Sequence, residues 1–156
     1  MRRATLLAVG LLALLAVAPP AGGVFAAARG GSCSATVLRG ELPVWARGGF
    51  HGSFRVPHRI ANDGTIAAIL FGDPLSSPES KLRANKVLWV QRRREAGADM
   101  IFIRARLVGG TSTAYRRLAL GPSYLNLPAV GCWRLSLRFG SQSDTLDLLY
   151  TASPSQ

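Results

Sequence analysis

An all-β fold, arranged as a sandwich of about seven or eight short strands, is what the sequence predicts, on three observations. From Ser34 onward apolar and polar residues alternate with the period of a strand. No stretch beyond the leader carries the 3.6-residue apolar period of a long amphipathic helix. Gly and Pro, 17 and 9 of 156 residues, break the chain into short runs. Strands of this kind bury one face each, and two sheets packed face to face satisfy them.

The chain opens on a leader. Arg2 and Arg3 precede an uncharged apolar run of 15 residues, Ala4 to Ala18, which ends at Pro19-Pro20. Small residues follow through Ala28. That order reads as a cleavable export signal over residues 1–28, cut after Ala26 or Ala28, with the folded domain at 29–156. A membrane anchor would need about 20 apolar residues. Acylation of Cys33 would need an aliphatic residue where Gly30 stands.

The strands are expected in this order. Ser34 to Leu38 is the first, and Phe50 to Val56 the second. Asn62-Asp63-Gly64 is a turn, and Thr65 to Phe71 leaves it. Residues 72–85 read as a loop punctuated by proline. Lys86 to Arg94 and Asp99 to Val108 are long strands, with Glu95 to Ala98 of hairpin length between them. In the second of these Ile101, Ile103, Ala105 and Leu107 share one face, and Phe102, Arg104 and Arg106 the other. Tyr115 to Leu120 is a further strand, and Leu125 to Val130 is extended. Cys132 to Phe139 turns Trp133, Leu135, Leu137 and Phe139 inward and Arg134, Ser136 and Arg138 outward. After a turn, Thr145 to Ala152 returns with Leu146, Leu148 and Tyr150 on one face.

Charge is lopsided, with 19 Lys and Arg against 8 acids and a formal net charge of +11. Loss of Arg2 and Arg3 with the leader leaves 17 cations, a net +9 for the exported part. Its expected partners are anionic envelope polymer, lipid head groups or an acidic protein. Nucleic acid is not expected of an exported chain. The two cysteines, Cys33 and Cys132, stand near opposite ends of the domain. In an oxidising compartment such a pair most simply forms one disulfide.

The string from Leu125 to Ala152, with Pro128, Gly131-Cys132-Trp133, an alternating strand, a turn and a last strand, resembles the end of a family of small exported bacterial domains. Cys33 shortly after the leader and Leu88-Trp89-Val90 midway fit the same family. The resemblance implies an immunoglobulin-like sandwich with a Cys33–Cys132 bridge, and it carries no activity and no catalytic residues to transfer. Alternation places Cys132 on the side of Arg134, opposite Trp133. Either a bulge turns Cys132 inward or the bridge staples the rim of the sandwich, and the rim is the expectation.

Catalytic patterns are thin. There is no GxSxG, and the two histidines, His51 and His58, have no adjoining nucleophile or acid in sequence. They are the residues a hydrolase reading would use. The acids lie mostly in turns, with Asp147 on a strand. Two cysteines and two histidines without CxxC spacing make a poor zinc set, and no cofactor motif appears. Carbohydrate binding would call for Trp45, the tryptophan placed in a loop, beside another flat ring. The feature that stands out is arginine on outward strand positions: Arg104, Arg106, Arg134 and Arg138, with Arg92 to Arg94 and Arg116-Arg117 adding more. If these strands share a sheet, they give it an anion-binding face.

Overall fold

The computed structural model describes residues 32–48 and 52–153. The leader, residues 1–28, and His51 lie outside them. The described chain forms nine strands: β1 His58–Ile60, β2 Ile66–Leu70, β3 Leu75–Ser76, β4 Lys86–Gln91, β5 Met100–Leu107, β6 Thr113–Ala119, β7 Pro122–Tyr124, β8 Gly131–Phe139 and β9 Gln142–Thr151. They make two sheets, a four-stranded one in the order β1-β2-β4-β7 and a five-stranded one in the order β3-β9-β8-β5-β6. The expected all-β sandwich is the fold. Pairing is antiparallel except where the short β3 runs parallel to β9.

The period-two pattern positions the core. Trp133, Leu135, Leu137 and Phe139 of β8 are buried with Ile101, Ile103 and Ala105 of β5 and Leu146, Leu148 and Tyr150 of β9. They pack on Ile66, Ala68, Leu70, Val87 and Trp89 of the other sheet, and Leu107 closes the margin. Burial pushes the Tyr150 hydroxyl pKa well above its usual value, and the hydroxyl donates to the Leu125 carbonyl at 2.5 Å.

A smaller core covers the opposite face of the four-stranded sheet. Ala67 and Ile69 meet Leu42 and Ala46, with Trp45, Phe54, Val56, Leu88 and Val90 packed around them. Leu42 and Ala46 come from the segment holding a short 3-10 turn, Val44–Ala46. This second layer is why every residue of β2 is buried.

Three expected elements need correction. Residues 34–38 and 52–56 are coverings rather than ladder strands, held by the single bridges Leu38↔His58 and Glu41↔Arg55. Their alternation reflects one side lying on the sandwich, which a covering segment shares with a strand. Glu95 to Ala98 is not a hairpin turn, because β4 and β5 belong to different sheets. Glu95 anchors this crossing: its carboxylate accepts from Ser141 N and Oγ (both 2.8 Å) and from Gln142 Nε2 (3.0 Å). The segment from Leu125 to Val130 follows the short strand β7. Its Leu125 and Leu127 are buried plugs.

Candidate functional site

The outer face of β6, β5 and β8 gathers the arginines. Register sets three cross-strand rows. Arg117 lies opposite Phe102, and Phe102 opposite Arg138. Tyr115 lies opposite Arg104, and Arg104 opposite Ser136. Thr113 lies opposite Arg106, and Arg106 opposite Arg134. Arg104, Arg106, Arg117 and Arg138 are exposed. The guanidinium carbons of Arg138 and Arg117 sit 5.3 and 5.7 Å from the Phe102 ring centre, within cation–π range. Phe102 remains 41% exposed and Tyr115 67%. Ser136, the small residue between these large ones, floors a shallow depression of about 650 Å³.

Arg134 differs from the other three expected arginines. Its Nε and Nη2 each donate to Asp147 at 2.9 Å, and Nη2 also donates to the Ser32 carbonyl at 3.1 Å. The paired carboxylate raises the Arg134 pKa further. Asp147 occupies the outward position opposite Arg134, yet it is buried because residues 32–36 lie over it. Burial alone would lift its pKa, but the Arg134 and Ser34 hydrogen bonds, with the charges of Arg134 and Arg59, hold it below the ordinary carboxylate value. Arg134 is thus a pinned structural cation, and Arg117, facing the same way as Arg104, takes its place in the free array. Among the described residues the outward positions of β5, β6 and β8 bear no carboxylate.

The disulfide lies on this same outer face. Cys33 and Cys132 are bridged with Cα atoms 6.0 Å apart. Cys132 pairs with the exposed Leu149, as its parity requires. The bridge fastens the N-terminal segment to the sheet, and Ser34 N continues the attachment to Asp147 Oδ2 at 2.9 Å. Arg59 of β1 completes it by donating to the Thr36 carbonyl at 2.6 Å and to the Ser34 carbonyl. Burial lowers the Arg59 pKa and Asp147 partly restores it. The grouping of Cys33, Cys132 and Asp147 within 4.8 Å of one another offers no thiolate ligand, since both sulfurs are in the bridge.

The other candidates are placed as follows. His58 is buried, with Nδ1 at 2.8 Å from the Val56 carbonyl. Trp45 is half-buried against the smaller core. Trp89 and Trp133 are buried, with indole N–H groups donating to Ser123 Oγ (3.1 Å) and the Ala129 carbonyl (2.9 Å). The exposed rings beside the arginines are instead Phe102 and Tyr115. Arg92 to Arg94 follow β4 on the crossing between sheets and do not join the face. Strand parity reveals Phe102 in the sequence. The side taken by Tyr115 and Arg117 depends on the register across residues 108–112, which alternation does not fix.

Fold and face together define a class, a disulfide-stapled β-sandwich with one cationic sheet surface. The chain matches no family model, no curated protein and no solved structure.

Proposed function

We propose that the chain is an exported, non-enzymatic binding domain of the bacterial cell envelope whose outer β6-β5-β8 face holds an anionic envelope polymer. One observation carries the reading: four exposed arginines converge on three adjacent strands with no carboxylate at the outward positions between them. Repulsion within such an array is relieved by a bound polyanion, and the arginine fork matches phosphate or carboxylate through paired hydrogen bonds. Lipid head groups and acidic proteins share that chemistry.

Export is supported by the leader and by a disulfide, which persists in oxidising compartments. Among the described residues no helix is long and apolar enough to cross a membrane. An immunoglobulin-like topology is supported by the strand order. β5-β6 and β8-β9 are neighbouring hairpins of one sheet, while β7, between them in sequence, belongs to the other. The likeness of the Gly131-Cys132-Trp133 end to exported bacterial domains accords with both.

The test is co-sedimentation of the processed protein with isolated wall polymer. Wild type should bind at low salt and release as the Debye length shrinks from about 10 Å at 0.1 M to about 3 Å at 1 M. The combined variant Arg104→Gln, Arg106→Gln, Arg117→Gln, Arg138→Gln should fold and fail to bind. Equal binding by both proteins would defeat the reading.

A further inference from the structure

We infer that the depression over Ser136 is a subsite for an acidic sugar, a pyranose bearing a carboxylate or phosphate, within the polymer held by this face. The inference rests on the cationic-face reading and narrows it. A bare polyanion calls only for charge, and arginines spread over a flat sheet would meet that need. Here two rings stand among them. Phe102 and Tyr115 are on neighbouring strands, diagonally related across the pairs Phe102↔Arg117 and Arg104↔Tyr115. Both line the depression, together with Arg104, Arg117, Arg138 and Ser136.

The chemistry of the lining divides into two parts. The rings offer apolar surface to the C–H face of a sugar ring, a contact a phosphate or carboxylate group alone does not use. Arg117 and Arg138 lie over the Phe102 ring, 5.7 and 5.3 Å from its centre. That packing orients two guanidinium groups at one aromatic platform. N–H groups of guanidiniums held in this way remain available for the paired hydrogen bonds that carboxylate and phosphate accept. Ser136 keeps the floor low and adds a hydroxyl on the surface facing the ligand.

A lipid bilayer fits the same face less well. Membrane contact favours apolar side chains that project from a surface and enter the acyl boundary, whereas Phe102 and Tyr115 line a concavity among cations. The acidic sugar satisfies the rings and the arginines at once.

The experiment compares three probes on the processed protein: polygalacturonate, polyacrylate as a carboxylate polymer without rings, and phosphatidylglycerol vesicles. Affinities are read at matched charge and moderate salt. Polygalacturonate should bind most tightly. Tyr115→Ala should weaken it about tenfold, a typical worth for one aromatic contact, and leave polyacrylate unchanged. Phe102→Leu, which also removes the platform under Arg117 and Arg138, should weaken both polymers and polygalacturonate the more. Tyr115→Phe, which keeps the ring, should retain wild-type affinity, and it guards against a folding defect in the alanine variant. Equal binding of the two polymers, unmoved by the ring variants, would overturn the sugar subsite and leave the cationic face standing. Preferred binding of vesicles, lost in Tyr115→Ala, would assign the rings to a lipid surface instead. Failure of all three probes to bind at low salt would overturn the subsite and the cationic-face reading together.

Discussion

Asp144 and Asp147 of β9 show how single buried carboxylates tie distant segments into the sandwich. Asp144 is buried, which alone would raise its pKa. Hydrogen bonds from Thr65 Oγ1 (2.6 Å), Asp63 N (2.9 Å), Thr65 N (3.1 Å) and Thr145 N (2.7 Å) outweigh that and hold it below the ordinary value. Asp147 is held low by Arg134 and Ser34 in the same way. The native state therefore binds fewer protons than the unfolded chain, whose Asp groups titrate near about 3.9. Stability from both groups is complete above that range and is lost as pH falls through the lower folded-state values. Urea midpoints should be level from neutral pH down to about 5 and decline below about 4. Asp144→Asn should flatten that decline. Arg134→Gln is a second check at this scale. It leaves Asp147 buried without its partner and should cost about 1–3 kcal/mol in urea titration, with low-salt polyanion binding reduced far less than by the four-arginine variant.

Among the elements, β8 and β9 were the most legible. Each has one apolar and one largely polar face, and a tight turn joins them, so alternation alone placed Trp133, Leu135, Leu137 and Phe139 in the core. Residues 34–38 and 52–56 misled because a covering segment shares the one-sided pattern of a strand. The link at Glu95 to Ala98 misled because hairpin length does not say whether the next strand joins the same sheet. In the fold β5 pairs with β6 and β8, and Glu95 holds Ser141 and Gln142 across more than 40 residues, a contact that alternation does not reveal. For the site, parity found Arg104, Arg106 and Arg138 and the ring of Phe102. It gave no sign that Arg134 is neutralised, since the Arg134↔Asp147 pairing is a matter of register. Gly131 is an element-level constraint of another kind. Its φ of 121° opens β8, and a Cβ there would lie 2.9 Å from Leu107 Cδ1. The inward and outward assignment of β8 is testable: Leu137→Ala should destabilise by about 2–5 kcal/mol, while Arg138→Ala should stay within about 0.5 kcal/mol of wild type. The reverse order in a denaturant titration would turn the sheet inside out.

At the scale of the whole molecule, the disulfide and the cationic face proposed for binding share one sheet surface but are held by separate contacts. The bridge joins residues 99 apart in sequence and pins the N-terminal segment where it passes from the outer face of β8 and β9 to β1. Beyond the bridge that segment is held by Ser34 N on Asp147, by Arg59 on the Ser34 and Thr36 carbonyls, and by the Leu38–His58 backbone pair. These contacts are few and partly exposed, so the segment should loosen before the core does. Arg39, whose side chain is 67% exposed although ion-paired to Asp73, is the natural place to see it. Replacing both cysteines with serine should lower stability by about 2–4 kcal/mol and speed tryptic cleavage after Arg39, with the far-UV spectrum of the sandwich retained. The free arginines stand on β5, β6 and β8, whose ladder bonds do not pass through the bridge, so polyanion binding should persist in the serine variant. Loss of binding with the sandwich intact would mean that residues 32–38 form part of the contact surface, and the bridge would then belong to the site as well as to the fold.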